Sequence, residues 1–339
     1  MGCNLRDLAE SEVIDIADLA GKRVGIDSFL VAFQFLTAMR ARGATGDGGP
    51  LKDGKGRPVS HLMGFLDRAT TLLAAGVIPV FIFDGKHPEL KAETIAKRSQ
   101  SRRDAQEKWD QALAEGDYPE AQKWGQRAVR YTPEMVEESI EMLRLLGVPA
   151  FRAAAEGEGQ AAVMAAAGLI DVVATQDWDA LLYGSPVLVR NLMSVGSKRM
   201  GRVIRAEKII LADVLKENRL SREQLVDLAI MIGTDFHPGI RGIGPKTGLK
   251  LIREHLTIEK VCEFKEVDVP ENLKEIRELF LNHPTSTGHD LELKPIDTDA
   301  LKAWLSERDF SEGRIERNLA KINKTSQIRK AGQASLFDY

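Results

Sequence analysis

The sequence predicts an α/β fold in which a mostly parallel central sheet is flanked by helices. Five apolar runs are typical of short buried strands, at residues 24–27, 78–84, 149–152, 172–175 and 187–190. Helical patterns lie between them, at residues 61–75, 133–146 and 159–167. Alternation of this kind is typical of parallel strands connected by helices that cover both faces of the sheet. A chain of 339 residues is long enough for one large domain of this class.

Two segments interrupt the alternation. Residues 43–58 are rich in Gly, Asp and Lys, which predicts a loop. Residues 89–130 are highly charged and contain few large apolar side chains besides Trp109 and Trp124. Because this excursion directly follows Asp84, it is interpreted as a helical arch over the strand ends, at about residues 86–132. A solvated helical hairpin anchored by its two tryptophans explains the pattern equally well.

Acidic residues follow several of the predicted strands. Asp27 and Asp84 end apolar runs, and two further pairs of acids are spaced two residues apart. The complete set is Asp27, Asp84, Glu156, Glu158, Asp177, Asp179 and Asp235. Ligands of open parallel sheets bind beyond the carboxyl ends of the strands, so acids delivered there by several strands converge on one crevice.

A crevice full of carboxylates requires compensating charge, because neighbouring carboxylates raise one another's pKa. Mg²⁺ and Mn²⁺ prefer oxygen ligands and remove this repulsion. For any single acid, a surface position at the end of a strand is the simpler interpretation, but the patterned set favours a metal site. The six histidines occur singly, without the partners that activate a side-chain nucleophile. The set therefore favours hydrolysis of a phosphodiester assisted by two cations.

The net charge of −3 conceals two local basic stripes. Residues 314–330 carry six basic residues and one acid, Glu316, and a second group comprises Lys97, Arg98, Arg102 and Arg103. Local stripes of this kind are typical of nucleic-acid binding. Either stripe alone is equally well interpreted as the solvated face of a helix.

Cysteine usage and hydropathy predict a cytoplasmic protein. Cys3 and Cys262 form neither a disulfide framework nor a zinc motif, which is typical of a reducing compartment. We find no signal peptide and no apolar run long enough to span a bilayer, so no membrane partner is expected.

A glycine-rich segment at residues 239–248 lies between two helical runs, at 222–232 and 249–255. It is not a nucleotide phosphate loop, because Pro245 separates Gly244 from Lys246 and no strand precedes the segment. A glycine hairpin between helices, whose N–H groups hold a phosphodiester without reading bases, fits better. A purely structural helical turn is the alternative.

The sequence resembles the flap endonuclease family over its whole length. The blocks that carry the resemblance are IDS at 26–28, FDG at 83–85, EGEGQAA at 156–162, QDWDALLYG at 176–184 and GTDF at 233–236, followed by the glycine hairpin. The resemblance is to archaeal members, because no basic extension follows the C-terminal aromatic tail. It implies a monomeric nuclease that removes 5′ flaps, with 5′–3′ exonuclease activity, during Okazaki-fragment maturation and DNA repair.

The resemblance also implies a domain organisation. Residues 1–330 form a single nuclease domain with an N-terminal part (1–98), the arch (86–132) and an internal part (133–255). This domain contains a helix-hairpin-helix element that binds DNA. Residues 331–339 form a C-terminal tail that binds the sliding clamp.

The resemblance assigns roles by position. The seven acids hold two Mg²⁺ or Mn²⁺ ions, and Lys91 and Arg98 of the arch reach the scissile phosphate, seven and fourteen residues after Asp84. Ile240 and Ile243 provide backbone carbonyls for a monovalent cation such as K⁺. DNA contacts are expected from Gly2, Phe33, Arg68, Arg241, Gly242, Gly244 and Lys246. Clamp contacts are expected from Gln333, Leu336, Phe337 and Tyr339.

Two positions depart from the family pattern. Phe33 replaces a tyrosine that stacks on a base, so stacking is retained without the hydroxyl. In the tail, Phe337 lies inside the clamp motif, and no second aromatic residue follows Tyr339.

Two other functions compete with this interpretation. A non-catalytic adaptor that binds DNA junctions and the clamp would need the glycine hairpin and the tail, but not the acids. Because buried like charges are costly unless they hold metal, the seven acids argue against it. An RNA-directed nuclease could share the acidic sheet, whereas the arch and the hairpin together favour flapped duplex DNA.

Overall fold

The computed structural model describes residues 3–199 and 201–322. Its strands are β1 Glu12–Ile14, β2 Arg23–Asp27, β3 Ile78–Phe83, β4 Ala150–Arg152, β5 Val172–Ala174, β6 Val187–Arg190, β7 Lys198–Arg199, β8 Arg202–Val203 and β9 Ala206–Ile210. Seven of them form the central sheet, in the order β1-β9-β6-β5-β2-β3-β4, and β7 pairs with β8 separately. Strands β2 to β6 pair in parallel, whereas β9 is antiparallel to both β6 and β1.

The predicted fold class is confirmed. Each of the five predicted strands is present, and the sheet is mostly parallel. The antiparallel edge was not predicted, because β1 has only three residues and β9 mixes Glu207 and Lys208 with its apolar side chains.

Helices flank the sheet. Their bounds are α1 Ser28–Ala38, α2 Ser60–Ala74, α3 Ala92–Glu115, α4 Tyr118–Arg127, α5 Pro133–Leu145, α6 Gly157–Ala166, α7 Asp179–Leu182, α8 Leu211–Asn218, α9 Arg222–Ile232, α10 Pro245–His255, α11 Ile258–Lys265, α12 Leu273–Leu281 and α13 Thr298–Ser306. Residues 312–322 are also helical. None of the helices in the described residues combines the length and the apolar composition that a bilayer span requires.

Two hydrophobic cores lie on opposite faces of the sheet, as the alternation of side chains along β3 shows. Val80 and Ile82 pack in one core, with α6, α7 and α9, whereas Phe81 and Phe83 pack in the other, with α1, α2 and α5. On the first face, Gly25 of β2 allows a close approach, because a Cβ atom there would lie 2.4 Å from Ile170. Each face therefore buries apolar side chains, as expected for a parallel sheet.

The charged excursion forms a helical hairpin of α3 and α4, which follows a short 3₁₀ turn at Glu89–Lys91. The loop at residues 43–58 packs against this hairpin. The indole Nε1 of Trp109 donates to the carbonyl of Asp47 at 2.7 Å, and the side-chain amide of Gln122 donates to the carbonyl of Gly43 at 2.8 Å. Trp109 therefore connects the hairpin to the loop at 43–58, and its role is not limited to packing within the hairpin.

Candidate active site

A cavity of about 720 Å³ lies beyond the carboxyl ends of the parallel strands. Six of the seven predicted metal-binding acids line it, namely Asp27, Asp84, Glu156, Glu158, Asp177 and Asp235. Asp179 is 2% exposed and lies beside Glu158 and Asp177. Lys91, Arg98 and Phe33 line the same cavity, so the structure brings together the acids and the residues predicted for the arch and the base contact.

Asp27 ends β2 and caps α1. Its Oδ1 atom accepts from the backbone N–H of Leu30 at 3.3 Å, and its Oδ2 atom accepts from the hydroxyl of Thr175 at 2.9 Å. The register of the sheet produces the second contact, because Ile26 of β2 is paired with Ala174 of β5. The Thr175 hydroxyl also accepts from the N–H of Asp177 at 3.2 Å, so it connects two of the acidic positions.

Asp84 and Glu156 meet beside the start of α6. Asp84 follows β3, and its Oδ1 atom accepts from the N–H of Gly157 at 2.8 Å. Glu156 immediately precedes α6 and is 3% exposed. Its Oε2 atom accepts from the phenol of Tyr183 at 2.6 Å, and its Oε1 atom contacts Lys91.

Glu158, Asp177 and Asp179 form the tightest acidic group. One carboxylate oxygen from each lies within 4.8 Å of the others. Glu158 is in the first turn of α6, and Asp179 begins α7. The N–H of Cys3 donates to Asp179 at 2.7 Å, which fixes the orientation of this carboxylate.

Asp235 binds the two basic residues of the arch. Lys91 Nζ lies 3.1 Å from its Oδ2 atom, and the Arg98 guanidinium donates to both carboxylate oxygens, at 2.7 and 2.9 Å. Lys91 is the N-cap of α3 and ends the 3₁₀ turn. Lys91 and Arg98 are seven residues apart, but only Arg98 lies within α3. The 3₁₀ turn positions Lys91 so that both cations nevertheless contact Asp235.

The electrostatics of the cavity differ from one acid to the next. Burial, with repulsion from Asp84, raises the pKa of Asp27 to about 7. Burial and neighbouring carboxylates raise the pKa of Glu158 and of Asp179 well above their ordinary values. Burial alone would raise the pKa of Asp235, but the positive charge around this carboxylate, above all that of Lys91, outweighs burial and lowers the pKa to about 2. Compensating charge is therefore present at Asp235 and insufficient at Asp27, Glu158 and Asp179.

An aromatic wall lies beside the acids. The ring of Phe33 packs on Phe29, with centroids 5.2 Å apart, and the guanidinium of Arg102 lies 4.8 Å from its centroid. His87 also lines the cavity, 6.4 Å from Phe29. Arg102 belongs to the basic group already predicted from the sequence, whereas His87, three residues after Asp84, was missed and could have been identified by its spacing. Tyr183 had no such signal, because it meets Glu156 only in the folded chain.

The glycine hairpin connects α9 and α10 as predicted. The N–H of Ile240 donates to the carbonyl of Met231 at 2.8 Å, and the N–H of Ile243 donates to the carbonyl of Ile240 at 3.0 Å. Gly239 has a φ of +87°, and a Cβ atom there would lie 2.5 Å from the carbonyl oxygen of Ile232, so glycine is required. Arg241, Gly242 and Lys246 are exposed around the start of α10.

Not every predicted DNA contact lies at the cavity. Arg68 of α2 is half-buried and donates to the carbonyl of Val195 at 3.0 Å, so its guanidinium holds the β6–β7 connection. Gly2 and the predicted clamp contacts, Gln333, Leu336, Phe337 and Tyr339, lie outside the described residues.

Comparison with known proteins gives matches along the whole chain. Residues 4–105 match the XPG N-terminal domain, and residues 147–235 match the XPG I-region. The chain is 40% identical to flap endonuclease 1 of Pyrococcus abyssi, over 100% of this chain and 98% of that protein. It is 39% identical to flap endonuclease 1 of Methanococcoides burtonii, over 95% and 96% of the two chains.

Solved structures agree with this result. Flap endonuclease-1 from Methanococcus jannaschii superimposes with a TM-score of 0.75 at 34% identity, covering 97% of this chain and 100% of that one. The catalytic core of Rad2 in complex with DNA substrate has a TM-score of 0.72 at 22% identity, covering 95% and 100%, and shows a shared fold. With similarity along its full length and an acid-lined cavity at the strand ends, the chain belongs to the flap endonuclease 1 family of structure-specific nucleases.

Proposed function

We propose that this nuclease cuts DNA at the base of 5′ flaps with two divalent cations, Mg²⁺ or Mn²⁺, and that it also degrades DNA from 5′ ends. The observation that carries the proposal is the cavity itself, in which six carboxylates lie beneath the basic side chains of a helical hairpin. Acids alone would repel a phosphodiester, and basic residues alone would bind it without hydrolysing it. The combination supports metal-assisted hydrolysis.

The acidic side chains fit two cations of this kind. All of the proposed ligands are carboxylates, the donors that hard cations prefer. Glu158, Asp177 and Asp179 would hold one cation, since their oxygens already lie within 4.8 Å of one another. Asp27, Asp84 and Glu156 would hold the other, and Asp235 would complete the set. Bound cations supply the charge that stabilises the attacking and leaving oxygens of the phosphodiester.

The basic residues would bind the substrate from the opposite side. Lys91 and Arg98 are already within the cavity and would exchange their carboxylate contacts for contacts with the scissile phosphate. Phe33, whose ring contacts the guanidinium of Arg102, would stack on the base next to the cleaved bond. These contacts hold the reacting phosphate over the acids, and the rings of Phe29 and Phe33 exclude water from one wall.

We assign duplex binding to the glycine hairpin. Backbone N–H groups of Gly242 and Gly244, with the exposed side chains of Arg241 and Lys246, would contact phosphates without reading sequence. The carbonyls of Ile240 and Ile243 would bind a monovalent cation such as K⁺. Arg68 and Gly2 would add contacts elsewhere on the DNA.

We place the enzyme in the cytoplasm as a monomer that acts in Okazaki-fragment maturation and DNA repair. Its tail, residues 331–339, would bind the sliding clamp through Gln333, Leu336, Phe337 and Tyr339. An extended segment with apolar anchors is a usual form for docking into a groove.

The decisive experiment compares substrates of different shape. A labelled double-flap DNA, a nicked duplex, a single strand and an RNA hairpin would be incubated with and without Mg²⁺. We expect cleavage at the flap base, only with the metal, and faster than on the other substrates. Metal-dependent cleavage that favours the RNA hairpin would instead identify an RNA-directed nuclease, and binding without cleavage would identify an adaptor.

A further inference from the structure

A buried phenol contacts the carboxylate of Glu156. Tyr183 follows α7 and is 1% exposed. Its hydroxyl donates to Glu156 Oε2 at 2.6 Å. Hydrogen bonds from a neutral donor to a carboxylate are stronger than those between neutral groups. The two residues are brought together only by the packing of α7 beside the start of α6.

The phenol ring has little freedom to move. Its centroid lies 5.0 Å from that of Phe280 and 4.7 Å from that of His283, which packs edge-on at 68°. The N–H of Tyr183 donates to the carbonyl of Asp179 at 3.0 Å, which fixes the backbone as well. The hydroxyl therefore has one fixed position, and Glu156 must orient itself relative to that position.

The two oxygens of Glu156 consequently have different surroundings. Oε2 is directed at the aromatic core and bound by Tyr183, whereas Oε1 is the oxygen that contacts Lys91. A free carboxylate can rotate and offer either oxygen, or both, to a cation. With Oε2 occupied by the phenol, Glu156 offers one oxygen to the cavity.

We propose that Tyr183 is a positioning residue that holds Glu156 in the orientation required to bind a divalent cation through Oε1. This inference rests on the proposed function, in which Glu156 is a metal ligand. Partners that orient a ligand typically change metal affinity 10- to 100-fold when they are removed. We expect the lower end of this range, because a single neutral donor is lost.

The test uses three single variants and measures metal binding directly. Tyr183→Phe removes the hydroxyl and keeps the ring. Glu156→Gln tests the ligand itself. Tyr131→Phe is the matched control, because its hydroxyl is also buried but bonds to Ser139, at 2.8 Å in the other core. Binding of MnCl₂ to each full-length variant would be followed by calorimetry and by the electron paramagnetic resonance of free Mn²⁺.

We expect Tyr183→Phe to weaken Mn²⁺ binding about tenfold and Tyr131→Phe to leave it within about twofold of the wild type. Raising the metal concentration should then restore flap cleavage by Tyr183→Phe, which a structural defect would not permit. Thermal unfolding in EDTA checks that both tyrosine variants fold. If Tyr183→Phe does not fold, the wild-type protein still provides a test, because Mn²⁺ binding should change the near-ultraviolet absorption of a tyrosine.

The outcomes separate the positioning role of Tyr183 from the proposed role of Glu156 as a metal ligand. If Glu156→Gln loses Mn²⁺ affinity while Tyr183→Phe retains it, the positioning role is wrong and the metal assignment stands. If Glu156→Gln binds Mn²⁺ as tightly as the wild type, Glu156 is not a ligand, and the proposed metal assignment fails together with the inference. An unchanged tyrosine absorption on metal binding would also overturn the positioning role.

Discussion

Lys91 and Asp235 form a salt bridge inside the cavity, with 3.1 Å between Nζ and Oδ2. The same ammonium group contacts Glu156, so one cation at the base of the arch lies between two carboxylates from other parts of the chain. Both carboxylates are among the proposed metal ligands. Lys91 and the proposed divalent cation would therefore compensate part of the same negative charge.

This arrangement predicts that Lys91→Met is most destabilising when no metal is present. Breaking a buried ion pair on one side costs about 3–5 kcal/mol, and we expect about 3 kcal/mol because the Lys91 side chain retains slight exposure. Added MgCl₂ should recover part of this loss. Urea unfolding in EDTA and in MgCl₂ measures both values. Lys97→Met, whose exposed side chain pairs with Glu93, is the control. Equal losses in the two media would contradict the shared compensation.

Asp179→Ala should reduce turnover by several orders of magnitude while the fold and DNA affinity persist. The variant removes a proposed metal ligand from the tightest acidic group but leaves the proposed contacts of the glycine hairpin with phosphates intact. Single-turnover cleavage of a double-flap substrate is the measurement. Asp171→Ala removes an exposed acid outside the cavity and serves as the control. Activity of Asp179→Ala within about tenfold of the wild type, or ~1.4 kcal/mol of transition-state stabilisation, would rule out the two-metal assignment.

The arch and the glycine hairpin should contribute to different steps. Arg98→Ala is expected to slow cleavage with little change in duplex affinity. Lys246→Ala should weaken binding and reduce the salt dependence of the affinity by roughly one unit of slope, as expected for one lost phosphate contact. Fluorescence titrations at several salt concentrations, with single-turnover rates, separate the effects. Lys302→Ala, at an exposed pair with Glu316, is the control for lost surface charge. A pure affinity loss in Arg98→Ala would place Arg98 away from the scissile phosphate.

His61 should make the protein less stable in acid. It is fully buried and has no hydrogen-bond partner among the described residues, and burial, with the charge of Arg308, lowers its pKa from 6.5 to about 3. Between these values the unfolded chain binds a proton that the folded chain does not, so stability falls as the pH falls. Each pH unit costs about 1.4 kcal/mol. His61→Phe should remove this contribution from the pH dependence of urea unfolding between pH 6 and 4. Identical slopes in the variant and the wild type would show that His61 titrates normally.

Removing the tail after Gly332 should leave cleavage of naked flap DNA unchanged and abolish stimulation by the sliding clamp of the same organism. The apolar side chains of the tail lie at a chain end, where a partner's groove can bury them. Cleavage rates with and without the clamp, for the full chain and the truncated chain, provide the measurement. Equal stimulation of both proteins would show that the tail is not the docking element.

The parallel strands and the acids that follow them could be predicted because each depends on local pattern. A strand such as β3 is a continuous apolar run, and Asp84 comes directly after it. Neighbouring carboxyl ends of parallel strands share one edge, so acids on several strands meet without any knowledge of side-chain packing. Local pattern also located the helices on both sides of the glycine hairpin, although α10 begins at Pro245 and not at residue 249 as predicted.

Other features depend on contacts between distant residues and could not be predicted. The bond between Trp109 and Asp47 requires the loop at 43–58 to fold back on α3. The bond between Tyr183 and Glu156 requires two helices to pack side by side. Neither leaves a periodic or spaced signal in the sequence. The salt bridges of Lys91 and Arg98 with Asp235 were likewise missed, because these two side chains were expected to contact only the scissile phosphate.

The connectivity of the sheet also determines when the site can form during folding. The proposed ligands extend from residue 27 to residue 235, and the strands that precede them, β2, β3, β4 and β5, pair in an order different from their order in the chain. Contacts between residues so far apart form late, because the entropy of closing long loops must be lost first. A partly folded chain would lack one or more walls of the cavity. Metal binding therefore cannot nucleate folding of this enzyme, and its onset during refolding would report that β2, β3, β4 and β5 have paired.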